Sequence, residues 1–319
     1  MALLEVDDLE KTFGGITAVD GATFGVEEGT VTGLIGPNGA GKTTTFNLIS
    51  GFYEPDGGQV RYRGTDLQEL MRPSPAEQGI WVSAAGVSFG GAGLGAAALA
   101  GIGTVGLAAG TIVGAGLGAG TYFGQERVRS DILDERHRRP FRVAQAGLAR
   151  TFQITRELQG MSVVENLMLA AQGQRGERLG NTWFRRGAVS EEEREVRARA
   201  EEMLDLLEIE HLREEFAGNL SGGQRKLLEL GRVLMTDPDC ILLDEPVAGV
   251  NTTLTGKLLE RIEALREEGY TFCVVEHDMD VIMNLSDTII VIDQGQKLMQ
   301  GTPEEVRSDE RVIDAYLGA

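Results

Sequence analysis

Residues 36–43 read Gly-Pro-Asn-Gly-Ala-Gly-Lys-Thr, which is the pattern of a phosphate-binding loop. The short apolar run 30–35 precedes it and predicts a buried strand, and residues 44–49 predict a helix. The three glycines of the loop allow a tight turn whose N–H groups point at phosphate oxygens, and the helix adds its positive N-terminal end. The stretch therefore predicts a site for nucleotide phosphates.

An acidic strand end follows much later in the chain, where residues 240–245 read Cys-Ile-Leu-Leu-Asp-Glu. A phosphate-binding loop together with such a strand predicts a nucleotide hydrolase. Lys42 is expected to contact the β- and γ-phosphates, while the Thr43 hydroxyl and Asp244 are expected to bind Mg²⁺, Asp244 directly or through water. Glu245 would lie beside the γ-phosphate as the base or as the residue that orients water.

Composition narrows the class of protein. The chain has 319 residues and a formal charge of −19, so we expect no nucleic-acid partner, because phosphate backbones require a basic face. Its two cysteines, Cys240 and Cys273, lie in apolar runs and are predicted to be small buried side chains, neither a disulfide nor a metal pair. With no recognisable signal peptide at the N-terminus, we expect the catalytic part in the reducing cytoplasm.

Two further motifs resemble a known family. Leu220-Ser-Gly-Gly-Gln224 lies twenty residues before the acidic strand, and Val274-Val-Glu-His277 lies after it. In this order the motifs resemble those of the nucleotide-binding subunits of ABC transporters, from residue 14 to 62 and from 140 to 319. The resemblance implies an α/β P-loop NTPase fold, a RecA-like core with an antiparallel β-subdomain and a helical ABC subdomain.

Shorter matches indicate a branch of that family. The chain resembles the ATP-binding subunits of branched-chain amino-acid importers, the LivG-like branch, although importers of urea and short amides look similar. The residues that carry this resemblance are Phe13-Gly-Gly15, Ala149-Arg-Thr-Phe-Gln153, Glu165-Asn-Leu167, Glu276-His-Asp-Met279 and Ala315-Tyr-Leu-Gly318.

The resemblance implies a set of site residues with ATP and Mg²⁺ as cofactors. Gln153 would bind Mg²⁺ or the attacking water, and His277 would contact the γ-phosphate. Phe13 has two interpretations, an aromatic that stacks on adenine or a core residue at a strand edge. The implied ATP-binding residues are Phe13, Gly36, Pro37, Asn38, Gly39, Ala40, Gly41, Lys42, Thr43, Thr44, Ser221, Gly222, Gly223 and Gln224.

The same resemblance implies partners. Two nucleotide-binding subunits, identical or paralogous, would face each other head to tail, and residues 221–224 of one would close over ATP held by the other. Asn251, where many ABC subunits have aspartate, lies in a loop expected between the subunits. The dimer would bind two membrane permease subunits at the cytoplasmic face of the cell membrane, and a substrate-binding protein would act indirectly.

The pattern divides the chain into five segments. Up to about Arg63 it predicts short strands that alternate with glycine turns. The apolar, β-branched runs 239–245, 271–276 and 288–292 predict parallel strands covered on both faces. The helical segment contains Ser190-Glu-Glu-Glu193, which predicts a capping box at a helix start, and residues 196–207 carry an apolar helical face. The segments are 1–71, the β-subdomain and start of the core; 72–139, an insertion; 140–153, the core as far as Gln153; 154–234, the helical signature subdomain; and 235–319, the C-terminal half of the core.

The insertion interrupts the resemblance. Residues 78–125 contain no charged residue and are rich in Gly and Ala. Three interpretations stay open: a re-entrant or two-span membrane hairpin flanked by arginines, a disordered glycine-rich loop, and a glycine-zipper contact with a partner protein.

The sequence therefore predicts an ATPase subunit that powers import of branched-chain or related amino acids. One alternative is a soluble ABC-type ATPase that remodels a macromolecule. A further one is an ATP-operated scaffold whose insertion, and not a permease, is the membrane partner.

Overall fold

The computed structural model describes residues 2–72, 140–151, 157–174 and 186–317. The chain divides into two units, residues 1–70 with 140–319, and residues 71–139. The uncharged stretch 78–125 of the predicted insertion and the predicted site residue Gln153 lie outside the described residues.

Ten strands and ten α-helices are described. The strands are β1 (Ala2–Phe13), β2 (Ile16–Glu27), β3 (Val31–Ile35), β4 (Gly57–Tyr62), β5 (Thr65–Asp66), β6 (Leu148–Arg150), β7 (Cys240–Asp244), β8 (Thr271–Val275), β9 (Thr288–Asp293) and β10 (Gln296–Gly301). The helices are α1 (Lys42–Ile49), α2 (Leu67–Met71), α3 (Pro140–Gln145), α4 (Val163–Ala170), α5 (Arg186–Leu206), α6 (Gly222–Leu234), α7 (Thr252–Glu267), α8 (Met279–Leu285), α9 (Pro303–Ser308) and α10 (Glu310–Leu317).

Six strands form the central sheet in the order β10-β9-β3-β8-β7-β6. All neighbours pair in parallel except β10, which pairs antiparallel with β9. Every residue of β3, β7 and β8 is buried, as expected for continuous apolar runs covered on both faces. Because carboxyl ends of parallel strands meet at one edge, the phosphate-binding loop, the acidic strand end and His277 share that edge.

A second sheet of four antiparallel strands has the order β2-β1-β4-β5. The sequence predicts short strands separated by glycine turns here, but β1 and β2 have 12 residues each. They are joined by Gly14 and Gly15, both with positive φ, in the two-residue turn that suits a hairpin. Gly21, also with positive φ, lies where the register shifts between β1 and β2, so it marks a bulge inside a strand and not its end.

The helical segment packs α4, α5 and α6 around one apolar core. The predicted apolar face of α5 is confirmed, since Ala200 and Leu204 are fully buried. The predicted helix start at Ser190 is wrong, because α5 already begins at Arg186. The additional turn places the half-buried Val189 beside a groove that Met161 and Met168 also line, and partial burial of an apolar side chain favours this extension.

The two cysteines are buried and free, as predicted. Burial raises the pKa of the Cys273 thiol to about 12, and burial also raises the pKa of Cys240. Both therefore behave as small core side chains.

Among the helices of the described residues, none has the length and apolar character that a bilayer crossing requires.

Candidate functional site

The phosphate-binding loop connects β3 to α1. Gly39 and Gly41 have φ values of 81° and 98°, a region that favours glycine. A Cβ on Gly41 would lie 2.2 Å from the carbonyl oxygen of Ala18, and one on Gly36 would lie 2.0 Å from that of Ile292. Both glycines are thus required by the close approach of neighbouring backbone, which fixes the loop ahead of the helix.

Lys42 is buried and folds back onto the loop. Its ammonium donates to the carbonyl oxygens of Gly36, at 2.8 Å, and of Pro37, at 2.9 Å. Burial lowers the pKa of Lys42, and the negative charge of Glu245 opposes that change. An ammonium has three N–H donors, so these two bonds leave one donor for a phosphate oxygen, consistent with the predicted role.

The structure brings Glu245 and His277 together at the edge of the sheet. Nε2 of His277 lies 2.6 Å from Oε1 of Glu245. Glu245 adopts a φ of 51° immediately after β7, a conformation that costs a non-glycine residue energy and recurs at functional sites. An imidazole and a carboxylate in contact form a pair that can accept, donate and orient a proton.

Glu276 connects the two strand ends that carry this pair, and the sequence motifs gave it no role. Its buried carboxylate accepts from the backbone N–H of Val247 at 2.9 Å and from that of His277 at 3.1 Å. Burial raises the pKa of Glu276, and these two hydrogen bonds act in the opposite direction. Glu276 thereby holds the loop after β7 against the loop after β8.

Asp244 and Thr43 are the described residues of the predicted metal site. Carboxylate and hydroxyl oxygens suit Mg²⁺, which proteins usually bind through one or two carboxylates and substrate phosphates. No group of three or more His, Cys, Asp or Glu side chains within the described ranges could hold a metal. The residues therefore fit an ion shared with nucleotide phosphates, and such an ion would neutralise charge on them.

Phe13 ends β1 with 42 % of its surface exposed. Its ring packs edge-to-face on Tyr53, with the ring centroids 5.3 Å apart. An exposed ring held by a second ring favours the stacking interpretation over the core interpretation.

Residues 221–224 begin helix α6. Ser221 is the N-cap, and its hydroxyl accepts from the backbone N–H of Gln224. The side-chain oxygen of Gln224 accepts in turn from the backbone N–H of Ser221. Ser221 and Gly222 are exposed, whereas Gly223 is buried, and a Cβ there would lie 2.5 Å from Cδ1 of Leu254. Tight packing thus favours glycine at position 223, and the exposed pair is the part of the motif open to a partner.

Asn251, predicted in an inter-subunit loop, caps α7 in the structure. Its side-chain oxygen accepts from the backbone N–H of Leu254 at 2.9 Å. Asparagine is among the most favoured N-cap residues, which gives a local reason for the residue at this position.

The C-terminal helix α10 lies against the phosphate-binding loop, a contact that the sequence did not reveal. Burial raises the pKa of Tyr316, and a hydrogen bond donated by the Gly36 amide counteracts it. An open cavity of about 580 Å³ lies between this helix and the loop; it is lined by Pro37, Asn38, Gly39, Ala40, Asp293, Gln294, Arg311, Asp314 and Ala315.

Comparison with known proteins identifies the family. The sequence profile described as ABC transporter matches residues 19–89 and 121–248, more than half of the chain. The chain belongs to the ABC transporter family as an ATP-binding protein. A second profile, described as branched-chain amino acid ATP-binding cassette transporter, matches residues 296–319 of this ABC protein. The first profile leaves residues 90–120 unmatched, and these lie within the predicted insertion.

Curated relatives align with this ABC protein along its whole length. The probable branched-chain amino acid transport ATP-binding protein LivG of Archaeoglobus fulgidus is 32% identical over 100% of this chain and 96% of its own. The high-affinity branched-chain amino acid transport ATP-binding protein BraF of Pseudomonas aeruginosa is 33% identical over 99% of this chain and 98% of its own.

Solved structures have the same fold. A nucleotide-free ATP-binding cassette from an ABC transporter is 29% identical, with a TM-score of 0.67 and full coverage of both chains. The ADP conformation of an ATP-binding cassette of an ABC transporter gives the same identity, TM-score and coverage. The predicted P-loop NTPase fold is confirmed.

Proposed function

We propose that this ABC protein is the ATP-hydrolysing subunit of an importer for branched-chain amino acids. The observation that carries this proposal is full-length similarity, at 32–33% identity, to proteins named for branched-chain amino acid transport. The matching profile over residues 296–319 supports it. The subunit would act at the cytoplasmic face of the membrane, bound to two permease subunits.

The geometry of the site supports hydrolysis. A water oriented by Glu245 would attack the γ-phosphorus, the bond to the ADP oxygen would break, and the carboxylate would take the proton of the water. His277, 2.6 Å from Glu245, would fix the carboxylate and contact the γ-phosphate. Lys42 and the loop amides would bind the phosphates, because a helix N-terminus favours negative charge.

The exposed end of α6 supports a head-to-tail dimer. The Ser221 hydroxyl and the N-terminus of the helix form an anion site on the surface. The γ-phosphate of ATP on a second subunit is the anion that we assign to it. ATP would then join the subunits, and hydrolysis would release them.

The Ser221 hydroxyl also caps α6, and two variants separate its two roles. Ser221→Asn keeps a capping side chain and should change the melting temperature little, whereas Ser221→Ala should cost about 1 kcal/mol of stability. We expect both variants to bind ATP as monomers but to lose ATP-dependent dimerisation, measured by light scattering. If Ser221→Asn dimerises like the unmodified chain, the hydroxyl has a structural role alone.

Transport assays test the proposed cargo. Proteoliposomes with the permeases, the binding protein and this subunit are expected to accumulate labelled leucine, and excess isoleucine or valine should compete. The same vesicles with Glu245→Gln should accumulate none. If urea or a short amide competes and leucine is not accumulated, the cargo assignment is wrong while the ATPase assignment stands.

A further inference from the structure

Arg150, at the end of β6, is a nearly inaccessible cation that contacts both the acidic strand end and the end of helix α1. Its Nη2 donates to Oδ2 of Asp244 at 2.8 Å. Its Nη1 donates to Oδ1 of Asn47 at 2.7 Å and to Oγ of Ser50 at 2.8 Å. Both members of the ion pair are nearly inaccessible, with side chains 9% and 5% exposed.

Two aromatic rings lie against this guanidinium. Its central carbon lies 5.4 Å from the ring centroid of Phe46 and 5.6 Å from that of Phe52. Arginine suits this position because its planar group can stack on rings while donating in two directions, and a lysine ammonium cannot. The contacts with the two rings and with partners in two directions therefore favour arginine over lysine at this position.

The contacts join elements that are distant in sequence. Asn47 and Ser50 lie at the end of helix α1, whose first residues follow the phosphate-binding loop. Asp244 ends the acidic strand, and β6 pairs in parallel with that strand. Arg150 lies three residues before Gln153, so its guanidinium links the phosphate-loop helix, the acidic strand and the strand that leads to Gln153.

The geometry points to Arg150 as a positioning residue for the metal-binding carboxylate. By binding Oδ2 of Asp244, Arg150 restrains the carboxylate, which would hold Mg²⁺ when the ion is bound. This inference rests on the proposed role of Asp244 as a ligand of Mg²⁺ in the ATPase. It also implies that a displacement of β6 near Gln153 is transmitted to the metal ligand through one side chain.

Nucleotide binding tests this role without a measurement of turnover. The full-length chain is titrated with a fluorescent ATP analogue, first in EDTA and then at increasing Mg²⁺. For Arg150→Gln we expect the Mg²⁺ concentration at half-maximal effect to rise at least tenfold, while affinity in EDTA changes less than twofold. Arg150→Lys keeps the positive charge but not the contacts to both Asp244 and helix α1. It should therefore give an intermediate shift in the Mg²⁺ concentration at half-maximal effect.

Two controls separate the outcomes. Arg63→Gln removes an exposed arginine paired with Asp239 and should leave the Mg²⁺ dependence unchanged. Asp244→Asn should shift it as strongly as Arg150→Gln. If Asp244→Asn has no effect, the proposed metal site itself is wrong. Either of two results would overturn the positioning role. In the first, Asp244→Asn shifts the Mg²⁺ dependence but both folded Arg150 variants leave it unchanged. In the second, the Arg150 variants weaken ATP binding equally with and without Mg²⁺.

Discussion

Replacement of Glu245 by glutamine is expected to lower the rate of ATP hydrolysis at least ~10²-fold while ATP still binds, because a general base contributes about 10²–10⁴ in rate. Glutamine has nearly the same shape and can still contact His277, which lies 2.6 Å from the carboxylate. It cannot accept a proton from water. The variant should therefore keep the fold and the nucleotide, and lose the chemical step.

Phosphate release and size-exclusion chromatography with ATP measure the two parts of this prediction. The hydrolysis-deficient variant should elute as an ATP-dependent dimer, since the nucleotide that joins the subunits is not consumed. Glu260→Gln, on the exposed face of α7, is the matched control and should behave as the unmodified chain. Hydrolysis by Glu245→Gln at the unmodified rate would show that another group is the base.

The local sequence predicted those strands whose own hydrophobic pattern determines their structure. The continuous apolar runs at β7, β8 and β9 predicted buried parallel strands, and the structure confirms them. Prediction from the local sequence failed where a tertiary contact overrides the local signal. Gly21 resembles a turn but forms a bulge in β2, because β1 pairs along its length, and Ser190 resembles a cap but lies inside α5.

The candidate site likewise has residues that the local sequence predicts and residues whose roles depend on tertiary contacts. A phosphate-binding loop, an acidic strand end and a histidine strand have recognisable sequences, because the chemistry depends on residues at fixed local spacing. Arg150 and Glu276 lie inside stretches that carry the family resemblance, but their neighbours in sequence do not indicate what their side chains contact. Arg150 contacts Asp244 across 94 positions of sequence, and Glu276 contacts Val247 across 29. Their roles depend on which strands lie side by side, and the order of motifs does not specify that.

Gly41→Ala should weaken ATP binding severely. We expect the affinity for ATP to fall at least ~100-fold, equivalent to about 2.7 kcal/mol. The new Cβ would lie 2.2 Å from the carbonyl oxygen of Ala18 in β2, and the residue has a φ of 98°. The clash involves backbone on both sides, so no side-chain rotation relieves it. Either the loop or β2 must move, and both carry the geometry that presents N–H groups to phosphate.

Gly39→Ala is the matched control for this prediction. Gly39 has a similar φ of 81°, but beyond its chain neighbours no atom of the described residues lies within 4 Å of the added Cβ. Both variants share the cost of a left-handed alanine, about 1–2 kcal/mol, and Gly41→Ala alone adds the clash. Thermal melting and titration with a fluorescent ATP analogue should therefore rank Gly41→Ala well below Gly39→Ala. Equal losses in the two variants would mean that backbone conformation, and not the contact with β2, makes glycine necessary at position 41.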